Sequence, residues 1–374
     1  MNAGGAERVI ANVANILSCN HQITLKVLYK NKMGSFYTIS NNIAIKYITN
    51  VEPPLKDEIS YNIRLSNFIK LLKLYLYYIK VLIQKYLKSI LYIIKEDSDI
   101  IISDRIFFSK LFSCFAPQKV IKIGQEHNHH NDDIRYIKKV IKACRNIDYL
   151  MPASQSLSDY YSKIILKTKI KYIPHSLSYF PSNRASLINK QFLTVGRLVQ
   201  GKGVDDLIDL FYVITQIDNE CKLVIIGDGP DKKRLLEKVD FYKLKEHIIF
   251  TGNLDYQKVC DYYFSSSLYL SCSWTESFGL TFLEAASFGL PSICYDSAQG
   301  ASEIIRDSVD GFLIPNRNQS EYISKVLLLL NNYDLRVSFG CQAYNKANNY
   351  TEDKVKLMWY DFIKELECKL NDIL

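Results

Sequence analysis

Five stretches between residues 191 and 316 repeat one pattern, and that repetition constrains the fold more than any other feature of the chain. QFLTVGRLVQGKGVDDLIDLFYVI, CKLVIIGDGPDKKRLLEKV, HIIFTGNLDYQKVCDYYFSS, LYLSCSWTESFGLTFLEAASFG and LPSICYDSAQGASEIIRDS each read as a short apolar strand, a loop, then a helix. Repeated βα units at this spacing predict a parallel sheet with helices on both faces. Ligands of such sheets bind beyond the carboxyl ends of the strands. Arg197, Lys202, Gly227, Asp228, Gly229 and Glu276 all fall on loops expected along that one rim.

The most informative loop lies in 273–286, SWTESFGLTFLEAA. The apolar SSLYLSCS before it predicts a strand, and LTFLEAASFG predicts a helix that stops at Gly289, ahead of Pro291. Glu276 is then on the strand-to-helix loop and Glu284 about one turn into the helix. The backbone N–H groups of Phe278, Gly279 and Leu280 open that helix, where free donors and the helix dipole favour an anionic oxygen such as phosphate. Carboxylates beside such a site accept hydrogen bonds from sugar hydroxyls. Arg197 offers a planar fork to phosphate oxygens and Lys202 a mobile charge. A diphosphate leaving group needs such cations where no metal neutralises it.

The first half is less regular. GGAERV at Gly4 and Gly5 leads straight into helical spacing, without the buried strand that normally precedes such a loop, so the first domain is expected to lack its first strand. A flexible terminus is the plain alternative for the glycine pair. VIKIGQEHNHHNDD predicts a strand running into a polar loop, from which His127 would face an interdomain cleft; the alternative is a surface loop. The His127, His129 and His130 pattern has no partner cysteines and gives little support for a metal. Residues 176–190 have a linker's Pro, Ser and Asn. They divide a first domain (1–175) from a second (191–350), and an amphipathic helix closes the chain (351–374).

Net charge divides the same way. Residues 1–190 carry 28 Lys and Arg against 13 Asp and Glu, whereas residues 191–374 carry 19 against 26. Residues 59–95 contain seven basic residues and no acidic one, and Lys70, Lys73, Tyr77, Lys80, Gln84 and Lys88 share one helix face. A solvated stripe is one reading; a helix resting on anionic lipid, with Lys for attraction and Tyr at the interface, is the sharper one. No uncharged apolar run is long enough to span a membrane, and no apolar signal region opens the chain. The nine cysteines lack paired or metal-ligand spacing, as in a reduced cytoplasmic protein.

The set VGRLVQGKG, LVIIGDGP, IIFTGNL, ESFGLTFLEA and GLPSICYD…GASEIIRDSVDGFLIP resembles the retaining glycosyltransferases of family 4, group 1, of the bacterial surface-polysaccharide type. GGAERV, EHN, MPASQSL and YIPHSL resemble the family's acceptor domain more loosely. The resemblance implies a GT-B fold, that is, two Rossmann-like, doubly wound parallel-sheet domains facing a cleft, with a last helix crossing back to the first domain. It implies that Glu276 contacts the donor sugar and that His127 stands near it. Glu284 would hold the ribose hydroxyls, Arg197 and Lys202 the diphosphate, and Ser277, Phe278, Gly279 and Leu280 the phosphate and sugar. Gly227, Asp228 and Gly229 would shape the donor pocket, while Gly4 and Gly5 let the first loop approach the cleft. No metal or cofactor is implied beyond the UDP- or GDP-sugar donor.

These readings together predict a cytoplasmic enzyme, peripheral on the inner membrane. It would transfer a hexose-type sugar to a lipid-linked or surface-polysaccharide acceptor for O-antigen, capsule or lipooligosaccharide. A soluble acceptor, a non-hydrolysing sugar-nucleotide epimerase and an inactive nucleotide-sugar-binding protein are the alternatives. Nucleic-acid binding has no motif behind it.

Overall fold

The computed structural model describes residues 4–29, 37–51 and 68–371. Its first described element is α1 (Gly5–Leu17), which buries Val9, Ala11, Ala14, Ile16 and Leu17 along one face. β1 (Thr24–Tyr29) and β2 (Ala44–Thr49) pair in parallel as a separate two-stranded sheet. α2 (Phe68–Ile94) then leads to four parallel strands: β3 (Ile100–Ser103), β4 (Ile121–Glu126), β5 (Tyr149–Pro152) and β6 (Lys169–Ile170), adjacent in that order. Residues 59–67 of the expected 59–95 helix lie outside the described residues. Between these strands run α3 (Ile106–Phe115), α4 (Ile134–Ala143) and α5 (Gln155–Ile164). The starts of α4 and α5 are fixed by side-chain caps: Asp133 accepts from the N–H groups of Arg135 and Tyr136, and Ser154 from that of Leu157.

The second half contains β7 (Gln191–Val195), α6 (Val204–Ile217), β8 (Lys222–Ile226), α7 (Lys232–Phe241), β9 (Ile248–Gly252) and α8 (Tyr256–Ser265). It continues with β10 (Leu268–Ser271), α9 (Leu280–Ser287), β11 (Ser292–Tyr295), β12 (Gly311–Ile314), α10 (Gln319–Asn331) and α11 (Tyr333–Ala347). The six strands form one sheet in the order β12-β11-β10-β7-β8-β9, and every pairing is parallel. Alternate residues feed two cores. Phe192, Leu223, Ile225, Leu270 and Ile293 join the residues of α6 and α10 on one side. Leu193, Val224, Ile226, Tyr269 and Cys294 join those of α8 and α9 on the other. Each fully buried Leu or Ile of this kind contributes about 1.5–3 kcal/mol relative to exposure.

The strand order fixes where a ligand can enter. From β7 the chain builds outward to β8 and β9, then returns past β7 to place β10, β11 and β12 on its other side. The crevice lies where that direction reverses, between the carboxyl ends of β7 and β10. β7 leads into the 196–203 loop and β10 into the 272–279 loop, so the topology alone brings those two loops together.

The last helix, α12 (Glu352–Asn371), belongs by packing to the first half of the molecule. Its Val355, Trp359, Phe362 and Leu366 share one core with Ile16 and Leu17 of α1, Ile121 and Ile123 of β4, and Tyr149 and Met151 of β5.

Candidate active site

At the β7–β10 crevice, Lys202 Nζ lies 2.5 Å from Glu276 Oε1, which also accepts from Ser273 Oγ at 2.9 Å. The two charged side chains are only partly open to solvent, at 29% and 14%. Gly196, Tyr269, Ser271 and Thr281 line the same pocket. The Lys202 loop can come this close because Gly203 adopts φ 62°, and a side chain there would overlap the carbonyl of Cys272. Trp274 N–H donates to Gly201 O at 3.0 Å and ties the two loops together.

The Glu276 loop is held from behind by a second close approach. Gly300 N–H donates to Glu276 O at 2.9 Å. A Cβ on Gly300 would stand 2.7 Å from that oxygen and 2.6 Å from Phe278 N. On the loop's outer side, the Arg317 guanidinium lies over the rings of Trp274 and Tyr295, 3.7 and 4.2 Å from their centroids. It bonds Asp206 at 2.5 Å and Cys272 O at 3.1 Å. Gly279, with φ 88°, is the N-cap of α9, and Leu280 is that helix's first residue. Phe278 is buried, while Ser277 between it and Glu276 is half-buried.

Glu284, on α9, is 3% exposed. It accepts a hydrogen bond from Tyr263 Oη at 3.1 Å and is paired with Arg8, delivered by the first turn of α1 across the cleft. Arg8 also lies over the Tyr256 ring, 5.0 Å from its centroid. Burial acts to lower the Arg8 pKa, but Glu284 and Tyr256 outweigh it and raise the value. The guanidinium therefore stays charged throughout the useful pH range. Burial, then the Glu284 charge, pushes the Tyr263 phenol well above its usual range, so it remains a donor.

Other contacts cross the same cleft. A Cβ on Gly5 would lie 3.6 Å from Leu280 Cδ1, so α1 begins against the first residue of α9. Within the first domain, Gly4 O accepts from Tyr37 Oη at 2.9 Å. Thr275 Oγ1 donates to Asn131 Oδ1 at 2.8 Å, and Ser156 N–H to Glu303 Oε1 at 2.9 Å.

The three neighbouring histidines have different roles. His129 Nδ1 accepts from Asn131 N–H at 2.9 Å and His130 Nδ1 from Asp132 N–H at 3.0 Å, so both brace a loop whose Asn131 and Asp132 have positive φ. His127 instead leaves a buried Nε2 without a hydrogen-bond partner among the described residues. Its ring is 5.8 Å from that of His175, which meets Phe278 edge-on at 4.8 Å. Burial, and then the Arg105 charge, lowers the His127 pKa to about 4. Burial, and then His127, lowers that of His175 to about 3. Both rings are neutral near pH 7, able to donate and accept hydrogen bonds without carrying charge. They line a cavity with Asn12, Gln125, Ser176 and Trp359. Among the described residues, no three His, Cys, Asp or Glu side chains are grouped as metal ligands.

Some residues expected on the rim have other partners. Arg197 is exposed and makes no ion pair among the described residues. Gly227 (φ 141°) and Gly229 serve close packing: side chains there would overlap the backbone of Gly196 and Leu198 respectively. Asp228 bonds Lys232 Nζ at 2.9 Å and accepts from Gly229 N–H at 2.7 Å. Sequence reasoning overlooked Arg8, His175, Gly300 and Arg317. Arg8 alone left a local signal, since a cation in a helix's first turn opposes the helix dipole and needs a compensating anion.

Residues 179–346 match the family described as Glycosyl transferases group 1. The amylovoran biosynthesis glycosyltransferase AmsD of Erwinia amylovora is 24% identical over 369 residues, 97% of this chain and 96% of that protein. An N-acetyl-D-galactosaminyltransferase of Campylobacter jejuni, whose name carries a PP-undecaprenol-linked glycan, is 24% identical over 374 residues, 98% of this chain and 97% of that protein. An exopolysaccharide phosphotransferase of Streptomyces coelicolor is 24% identical over 99% of this chain, which spans 40% of that protein's length. The sucrose-phosphate synthase of Thermosynechococcus elongatus superposes with a TM-score of 0.78 and 15% identity, covering 98% of this chain and 94% of that one. Residues 179–346 are thus a group 1 glycosyl transferase domain, and the chain, with relatives along its whole length and parallel sheets in both halves, has the GT-B fold of glycosyltransferases.

Proposed function

We propose that the protein is a retaining, metal-independent glycosyltransferase that moves a hexose-type sugar from a UDP- or GDP-sugar to a hydroxyl of a lipid-linked or surface-polysaccharide acceptor. One observation carries this reading: two carboxylates on the FGL turn and its helix, Glu276 and Glu284, each hold a cation, Lys202 and Arg8, in the cleft between the domains. Such a site can exchange its internal ion pairs for those of a donor. Sugar and ribose hydroxyls donate to the carboxylates, while Lys202 and the N–H groups that open α9 receive the diphosphate. Arg197, exposed on the same 196–203 loop, would add a second cation to the diphosphate.

In the reaction the bond between the sugar's anomeric carbon and the diphosphate oxygen breaks, and a bond to the acceptor oxygen forms on the same face. The acceptor's proton passes to the departing phosphate. Glu276 stabilises the positive charge that develops on the sugar, and Lys202 the negative charge on the leaving group. His127, neutral, offers its free Nε2 to a sugar hydroxyl. Among the relatives, the Campylobacter enzyme's PP-undecaprenol-linked glycan supports a lipid-linked acceptor. The basic first domain supports the anionic inner face of a membrane as its place of work.

A panel of UDP- and GDP-sugars tests the donor site. Thermal shift by one nucleotide series, followed by sugar transfer or slow donor hydrolysis, is the expected result. A protein that no nucleotide stabilises is not this enzyme, and one that binds without hydrolysis or transfer is a binding protein.

A further inference from the structure

The outer face of α2 has no role in the transfer site and is unusual for a surface helix. Val81, Ser89 and Ile93 are its buried residues. Ile69, Leu72, Leu76, Ile83, Leu87 and Ile94 are 48% to 68% exposed. At about 100° per residue these six fall in one narrow stripe, pointing away from the buried side. A surface helix normally reverses this pattern, with polar residues outward. The stripe runs from Ile69 to Ile94, roughly 40 Å at 1.5 Å per residue.

The flanks of the stripe differ. Lys73 and Lys80 border it on one side, with Lys70 and Lys88 beyond them. Phe68, Tyr75 and Tyr86, all exposed, border it on the other. The helix has no acidic residue. Lys85 turns inward, lying over the Phe107 ring at 4.1 Å from its centroid. No helix of the described residues is long and apolar enough to cross a membrane. The pattern suits a helix lying in the plane of an interface: an apolar stripe below, cations at the level of lipid phosphates, and aromatic rings at the boundary.

We propose that α2 is a membrane-insertion face, which docks the first domain flat on an anionic lipid surface by burying the Ile69-to-Ile94 stripe among acyl chains. This extends the proposed work at a membrane, and rests on it, by naming the surface that docks and by assigning the hold to apolar insertion as well as lysine attraction. Charge decides between this partner and a second copy of the chain. Pairing two such stripes sets lysine flanks beside each other with no acidic residue on either helix to oppose them, a repulsive arrangement. An anionic bilayer complements the same lysines.

Sedimentation of the full chain with phosphatidylglycerol-containing and pure phosphatidylcholine vesicles, at low and high salt, tests the proposal. The wild-type protein is expected to sediment with the anionic vesicles and to keep part of that binding at high salt. Leu76→Ser with Leu87→Ser should weaken binding about tenfold or more at either salt. Lys73→Glu with Lys80→Glu should abolish the preference for anionic lipid. Wild-type protein left in the supernatant at low salt overturns the proposal, as does a stripe variant that binds like wild type. So does a dimer, seen by sedimentation velocity, that the stripe substitutions dissolve. Nucleotide thermal shift on the same variants separates the two readings. A chain that binds nucleotide but no vesicles refutes the docking face alone, and one that binds vesicles but no nucleotide refutes the transferase reading alone.

Discussion

Removing the Arg8 guanidinium tests whether the cleft is assembled as described, because Arg8 and Glu284 come from opposite domains. Their side chains are 15% and 4% exposed. Arg8→Ala leaves Glu284 a buried carboxylate with the Tyr263 hydroxyl, at 3.1 Å, as its remaining hydrogen-bond donor among the described residues. Breaking one side of a buried pair costs about 3–5 kcal/mol. The cleft admits water to the arginine side, which reduces this to about 2–3 kcal/mol for Arg8→Ala. At roughly 2–4 °C per kcal/mol, the thermal midpoint should fall by about 4–12 °C. Glu284→Ala strands a buried guanidinium and should cost a comparable amount, besides weakening donor binding. The double variant strands neither charge. Its loss should therefore fall short of the sum of the single losses by about 2 kcal/mol, the coupling energy of the pair. Thermal unfolding of the four proteins, with a parallel nucleotide titration, gives both quantities. Additive losses within about 0.5 kcal/mol would refute the interdomain pair.

Three further outcomes follow from the same geometry. Because His127 and His175 titrate below the ordinary value for histidine, the folded protein binds fewer protons than the unfolded chain between about pH 6.5 and their folded values of about 4 and 3. Their stability contribution is complete above that window and is lost as pH falls through it, at up to about 1.4 kcal/mol per pH unit for each ring. His175→Gln should flatten the acid limb of a thermal-midpoint-against-pH curve, and an unchanged limb contradicts the assignment. Gly300→Ala should cost about 1–3 kcal/mol by overpacking against Phe278 N and Glu276 O, and should lower turnover more than donor affinity; intact turnover would show that the Glu276 loop does not depend on Gly300. Lys202→Met should weaken nucleoside-diphosphate binding more than nucleoside binding, as isothermal titration would show. Equal losses on both ligands exclude a diphosphate contact.

The second domain was the more legible half because its information is local. Each βα unit ends its strand in a glycine-containing loop, and the periodicity changes there, so strands, loops and helices separate cleanly. The E-x₇-E spacing placed Glu276 on a loop and Glu284 inside a helix without knowledge of any partner. Strand order is not local, so the reversal between β7 and β10 that joins the Lys202 and Glu276 loops could not be read. The pairing of Arg8 with a residue 276 positions away was hidden for the same reason. Lys202 reaches Glu276 because Gly203's left-handed backbone lets its loop pack against Cys272, a contact that spacing along the sequence does not reveal. The helix at 59–95 was read from its lysines. The apolar stripe beside them carries the stronger statement, but it becomes visible only once the buried face is known to lie opposite.

The central claim is that the Glu276 carboxylate serves the transferred sugar, and Glu276→Gln tests it most directly. The amide keeps the shape of the side chain and can still accept from Ser273 Oγ, but it loses the charge that meets Lys202 and the developing positive charge on the sugar. Losing one such electrostatic contact costs about 2.7–4 kcal/mol in the transition state. Turnover measured with the preferred donor and acceptor should therefore fall about a hundredfold or more, while nucleotide binding and the thermal midpoint stay near those of the wild type. Turnover within a few-fold of wild type would contradict the account.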